Sequence, residues 1–219
     1  MGIQYVVAVD LSTSLTPAER GSQERLLEEL AASLEFGDRL VLLKAHAAGV
    51  RSDTSTVQVV TMPPLAGGEP LQSDVDDREM GRGRAERSVK RLFQAEPTRG
   101  TDLLATVHTA GERARGFAAG RTVLVLLSDM LHCADRVCIE PPRPVPDSTW
   151  IAARTQAGRM PRLAGMCVVA VGADAATDHG VRVREFWRRY FHAAGADFSE
   201  DRYVYGVSDP AVLRCGPTT

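Results

Sequence analysis

Two apolar runs, each leading into an aspartate, constrain this chain more than any other feature of its sequence. The first reads Ile3-Gln4-Tyr5-Val6-Val7-Ala8-Val9 and stops at Asp10; the second reads Val123-Leu124-Val125-Leu126-Leu127 and passes through Ser128 to Asp129. A strand with no polar alternation must be covered on both faces, the situation of a parallel strand inside an α/β sheet. Ligands of such sheets bind at the carboxyl ends of the strands, so both aspartates are expected on one functional rim.

The segments around these runs fill in the alternation. Leu26, Leu27, Leu30, Ala31 and Leu34 recur at helical spacing and predict an amphipathic helix over 22–35. Residues 39–45 and 55–62 read as two strands of a hairpin turning at 49–53, and 62–77, with Pro63-Pro64 and Gly67-Gly68, reads as a long surface loop. Helices are expected over 78–94, over 102–117, from 148 and over 181–194, with strands over 121–128 and 166–171 and an edge strand over 203–207. The order predicts an α/β fold: a doubly wound, mainly parallel central sheet with one antiparallel edge strand and helices on both faces. It is expected to form one domain over 1–219, its core at about 3–195 and a C-terminal extension over 196–219.

Charge and composition exclude several classes of function. The 26 basic and 28 acidic residues nearly cancel, so no global field draws the chain onto nucleic acid or an anionic membrane. The longest apolar stretches are strand-sized, against the roughly 20 residues of a membrane span. Residues 1–9 lack a basic leader region, and Cys133, Cys138, Cys167 and Cys215 are too few and too scattered for a disulfide framework, so a cytoplasmic, reducing location is the expectation. Lys44 and Lys90 are the only lysines and neither follows a glycine, which excludes a Walker-type phosphate loop.

What remains at the rim is a set of oxygen donors. Asp10-Leu11-Ser12-Thr13-Ser14 follows the first strand, Thr101 sits between Gly100 and the next helix, and Asp129 follows the later strand. Two carboxylates and three hydroxyls, with no His or Cys among them, suit a hard cation such as Mg²⁺, with Mn²⁺ or Ca²⁺ as alternatives. Hydroxyl ligands leave such a cation poorly neutralised, able to accept a carboxylate from another molecule.

At these residues the sequence resembles the von Willebrand factor type A domain, whose metal-ion-dependent adhesion site is written Asp-x-Ser-x-Ser, then a distant Thr, then a distant Asp. The resemblance runs from about Gln4 to Ala194 and includes Gly100-Thr101-Asp102-Leu103, a phrase typical of bacterial members. It implies that Ser12, Ser14 and Thr101 contact Mg²⁺ directly, while Asp10 and Asp129 hold it mainly through coordinated waters. It also implies a non-enzymatic adaptor that captures an Asp or Glu of a partner protein, as stand-alone bacterial members do within multicomponent systems. Met130 stands where the family usually has a glycine after the last aspartate, which puts the backbone turn there in question.

Other readings compete. A haloacid-dehalogenase-type phosphatase also opens with a strand and an aspartate, but needs an acid where Ser12 stands. A metal-dependent phosphoester hydrolase built on Asp10 and Asp129 is the second functional class. A nucleic-acid-binding module is the third; it would use Arg78, Arg82, Arg84, Arg87, Lys90 and Arg91 on one helix, or the arginines interleaved with Phe186, Trp187, Tyr190 and Phe191 on the last. Against it stands the ordinary arrangement of buried aromatics beneath snorkelling arginines. Cys133 and Cys138 beside His132 suggest a zinc clip but lack a second ligand pair. His46, His108, His179 and His192 form no spaced cluster. The Pro-rich segment 130–150 leaves the rim and either shapes partner specificity or merely bridges a strand and a helix.

Overall fold

The computed structural model describes residues 2–45, 57–65, 67–97, 100–117, 119–134, 137–207 and 209–215. The turn expected at 49–53, His46, and Thr98 and Arg99 lie outside them. Among the described residues six strands form one sheet, in the order Val57–Thr61 (β3), Arg39–Ala45 (β2), Ile3–Asp10 (β1), Arg121–Leu127 (β4), Met166–Val171 (β7) and Tyr203–Val204 (β8). β1 (Ile3–Asp10) is central, pairing in parallel with β2 (Arg39–Ala45) on one side and β4 (Arg121–Leu127) on the other. β3 (Val57–Thr61) runs antiparallel to β2 at one edge, while β7 (Met166–Val171) continues the parallel set beside β4. Among the described residues five α-helices complete a mixed α/β architecture.

Strand parity explains why both apolar runs are buried. Val6, Ala8, Leu124, Leu126, Val168 and Ala170 point into a core closed by α3 (Leu103–Ala114), α4 (Ser148–Gln156) and α5 (Asp178–Ala193). Tyr5, Val7, Val9, Val123, Val125, Leu127 and Val169 point into a second core under α1 (Pro17–Ala32), α2 (Gln72–Phe93) and the C-terminal tail. Helices therefore cover both faces, and neither face of β1 or β4 has room for polar alternation.

Several boundaries differ from the sequence expectation, each for a local reason. α1 begins at Pro17 rather than 22: Thr16 accepts from the Glu19 amide while the Glu19 carboxylate accepts from the Thr16 amide, a reciprocal cap that starts the helix before its apolar stripe does. α2 begins at Gln72, so the surface loop predicted over 62–77 ends at Leu71. Its acidic first turns favour the positive end of the helix dipole, and the Asp74 carboxylate accepts from the Leu71 amide. α3 is shorter than expected, while α5 starts three residues early because Thr177 caps the Gly180 amide. The edge strand β8 is confined to Tyr203–Val204, paired in parallel with the end of β7.

The cysteines depart from the reduced state expected of them. Cys133 and Cys138 face each other across a small hairpin, β5 (Cys133–Ala134) and β6 (Val137–Cys138), and are disulfide-bonded. Cys167 on β7 bonds Cys215 of the tail across 48 residues of sequence. With both hairpin sulfurs paired, Cys133 and Cys138 present no thiolates to the zinc clip considered above. Among the described residues no helix is long and apolar enough to cross a membrane.

Candidate metal centre

The pairing of β1 with β4 sets Val9 level with Leu127, so the residues that follow each strand emerge side by side on the carboxyl rim. Asp10 is wholly buried there, and three donors hold its carboxylate. Oδ1 accepts from the Ser12 amide at 2.8 Å and from the Thr101 hydroxyl at 2.9 Å; Oδ2 accepts from the Ser128 hydroxyl at 2.8 Å. Ser12 and Thr101 are each 3% exposed, whereas Ser14 faces solvent. The hydroxyls of Ser12 and Ser14 lie 2.7 Å apart, and Ser14 donates to Asp129 Oδ2 at 2.8 Å. All five expected residues thus join one hydrogen-bonded network, linked between Asp10 and Ser12 through the Ser12 amide and drawn from three separated segments.

Electrostatics at the rim are unfavourable to a second bare carboxylate. Burial pushes the Asp129 carboxyl up to about 6, and the Asp10 charge adds to the rise; the Leu131 amide, donating to Oδ1 at 2.9 Å, and the Ser14 hydroxyl pull the other way. A cation seated among these oxygens would reverse that cost. The donor set, hydroxyls and carboxylates without nitrogen or sulfur, fits a hard divalent ion.

Met130 makes the turn after Asp129 without a glycine. Met130 adopts φ 64, the left-handed region that costs a side-chain-bearing residue roughly 1–2 kcal/mol. Its side chain is fully buried, its amide donates to the Ser128 hydroxyl at 3.0 Å, and its carbonyl accepts from Trp187 Nε1 at 2.9 Å. Burial and two hydrogen bonds hold the strained turn that presents Asp129.

Two contributors escaped the sequence reading. Ser128 anchors Asp10; its only signal was a lone hydroxyl closing an otherwise apolar strand. Glu140, delivered by the β5–β6 hairpin, lines with Pro141, Ser12, Ser14, Gly100 and Thr101 a cavity of about 450 Å³ over the oxygen network. The 130–150 segment is therefore part of the rim: Ile139 is buried in the α5 core, and its carbonyl lies 2.7 Å from His179 Nε2.

Several of the basic and aromatic side chains considered for phosphate or nucleic-acid binding are already engaged. Lys44 Nζ donates to the Glu96 carbonyl and Lys90 pairs with Glu28. On α2, Arg78 and Arg82 both pair with Glu35. On α5, Phe186, Trp187, Tyr190 and Phe191 are core residues, and Arg188 and Arg189 engage Glu185.

No protein-family model matches the chain, and no curated protein matches its sequence. Solved structures do. The pilus adhesin SpaC from Lactobacillus rhamnosus GG, in its open conformation, is similar at a TM-score of 0.53 and 13% identity over 97% of this chain and 28% of its own. The PilB minor pilin from Streptococcus sanguinis is similar at 0.52 and 12% identity, over 98% of this chain and 59% of its own. A von Willebrand factor type A protein from Catenulispora acidiphila aligns at a TM-score of 0.47 and 15% identity, over 97% of this chain and 40% of its own. The chain thus spans less than two thirds of each of these proteins, and what it shares with SpaC and PilB is the fold.

Proposed function

We propose that this chain is a von Willebrand type A module that binds a partner protein through a divalent cation held by Ser12, Ser14, Thr101, Asp10 and Asp129. The observation that carries the reading is the convergence of five oxygen-bearing side chains from three segments on one strand-end rim, beneath an open cavity. A bound Mg²⁺ would supply an incompletely neutralised positive charge at the base of that cavity, an electrophile for an Asp or Glu of the partner. Asp10, fixed by its three donors, sets the position of the Ser12 loop and of Thr101; solvent-facing Ser14 lies on the side from which a partner arrives. Glu140 at the cavity wall repels a badly placed carboxylate and narrows the approach. In this reading the chain binds and does not catalyse, and its setting is an adaptor in a bacterial multicomponent assembly. Two proteins that share its fold are an adhesin and a minor pilin, and an interaction role agrees with both.

The test is calorimetric titration of Mg²⁺ and Mn²⁺ into the full chain and into Ser12→Ala/Ser14→Ala, followed by affinity capture from lysate with Mg²⁺ or chelator. Saturable binding lost in the variant, together with partners retained only by wild type in Mg²⁺, supports the proposal. Absence of cation binding, or partners indifferent to both chelator and substitution, overturns it.

A further inference from the structure

A second cavity opens between α1 and the end of β7, and it contains an unusual group. Gln23, on the inner face of α1, is 4% exposed, and among the described residues neither its Oε1 nor its Nε2 has a hydrogen-bond partner. Folds seldom bury both ends of a carboxamide unsatisfied, because each end gives up its water without compensation. Gln23 lines a cavity of about 300 Å³ whose walls include Leu26, Val171 and Val207. Space around the amide depends on Gly172: a Cβ there would lie 3.2 Å from Gln23 Nε2 and 2.9 Å from the Ser128 carbonyl, and its φ of +102° already disfavours a side chain. At the mouth, exposed Tyr205 donates to Glu19 Oε1 at 3.2 Å. Its ring is thus held beside the opening by that hydrogen bond, with Glu19 and Asp174 as acidic charges acting on it.

We infer that this cavity binds a small, planar, uncharged molecule carrying a hydrogen-bond donor next to an acceptor, an amide or nucleobase edge, and that Gln23 pairs with that edge. A carboxamide presents an acceptor and a donor in one plane, and its natural complement is the same pair reversed. Apolar walls and the Tyr205 ring suit a flat heterocycle. Glu19 at the mouth selects against anions. A volume of about 300 Å³ admits one or two fused rings. The inference is independent of any cation at Asp10.

The chain has six glutamines and no asparagine, so its side-chain amide signals in a ¹⁵N correlation spectrum are few, and Gln23→Leu identifies the Gln23 pair by its loss. Uracil, adenine and benzamide are titrated at millimolar concentration, with acetophenone as the control that keeps a ring and carbonyl but has no N–H. The expected result is that at least one of the three donor–acceptor probes shifts the Gln23 side-chain pair and the Gly172 and Gly206 amides in a saturable way. Acetophenone leaves them in place, and Gln23→Leu abolishes the response while its thermal midpoint stays at or above that of wild type. Val207→Trp, which fills the cavity from its open side, abolishes the response with Gln23 intact and provides the test should Gln23→Leu not fold. No shift with any probe, shifts that survive either substitution, or an equal response to acetophenone overturns the inference.

Discussion

At the scale of single residues, Asp10 and Ser14 separate holding the rim from using it. Asp10→Ala leaves the Ser12 amide and the Thr101 and Ser128 hydroxyls without their buried acceptor, and should cost about 3 kcal/mol or more in urea denaturation. Ser14→Ala removes an exposed hydroxyl and should change stability by less than about 0.5 kcal/mol while weakening Mg²⁺ binding at least about tenfold by calorimetry, a loss of roughly 1.4 kcal/mol. Asp129 adds a dependence on pH. Its carboxyl titrates at about 6 in the folded chain against 3.8 for an ordinary aspartate, so the folded state binds its proton more tightly than the unfolded state does. The resulting stabilisation is present below pH 4 and is lost as pH rises towards 6. In chelator, wild type should therefore lose thermal stability relative to Asp129→Asn between pH 4 and 6, and Mg²⁺ should restore more of it at pH 7 than at pH 5. Parallel pH profiles for the two proteins would remove the buried-carboxylate account.

At the scale of elements, α5 supports the turn that presents Asp129. Trp187 is fully buried and spans from the helix to the Met130 carbonyl. Trp187→Phe keeps most of the apolar volume and removes the N–H, and should cost about 2 kcal/mol while weakening Mg²⁺ binding, because the turn at φ 64 loses one of its restraints. Unchanged Mg²⁺ affinity in a destabilised variant would confine Trp187 to packing. Which parts of the elements were legible follows from the same physics. β1, β2, β4 and β7 could be read to within a residue because burial on both faces leaves a sequence no alternative pattern. The starts of α1 and α2 could not, because they are set by the Thr16–Glu19 cap and by acids at a helix end, outside the apolar stripe. The five rim residues were legible as a motif, but Ser128 and Glu140 were not: one acts through a hydrogen bond to Asp10, the other arrives on a hairpin whose position depends on Ile139 reaching the α5 core.

At the scale of the whole molecule, the tail disulfide and the candidate rim lie at opposite ends of one sheet. The tail crosses the α1–α2 face to the amino-terminal ends of the strands, where Leu213 is buried and Arg121, the first residue of β4, donates to the Arg214 carbonyl at 3.1 Å and to that of Cys215. Cys167, the second residue of β7, pairs in register with Val123, which itself pairs with Tyr5; the Cys167–Cys215 bond therefore lies several residues along the strands from the Asp10 rim. Closing a loop of 48 residues restricts the unfolded chain by an amount worth about 4 kcal/mol in the loop-entropy account. The oxidised Cys215→Ser variant should accordingly lose about 2–4 kcal/mol in urea denaturation, and a dithiol reductant should lower wild type by more than it lowers the variant, which keeps only the short Cys133–Cys138 loop to open. Because the sheet between tail and rim is packed on both faces, the same variant should bind Mg²⁺ with wild-type affinity under native conditions. A fall in that affinity parallel to the fall in stability would mean that the tail and the rim are coupled through the sheet, and that closing the tail onto β7 sets the geometry of the oxygen network as well as its durability.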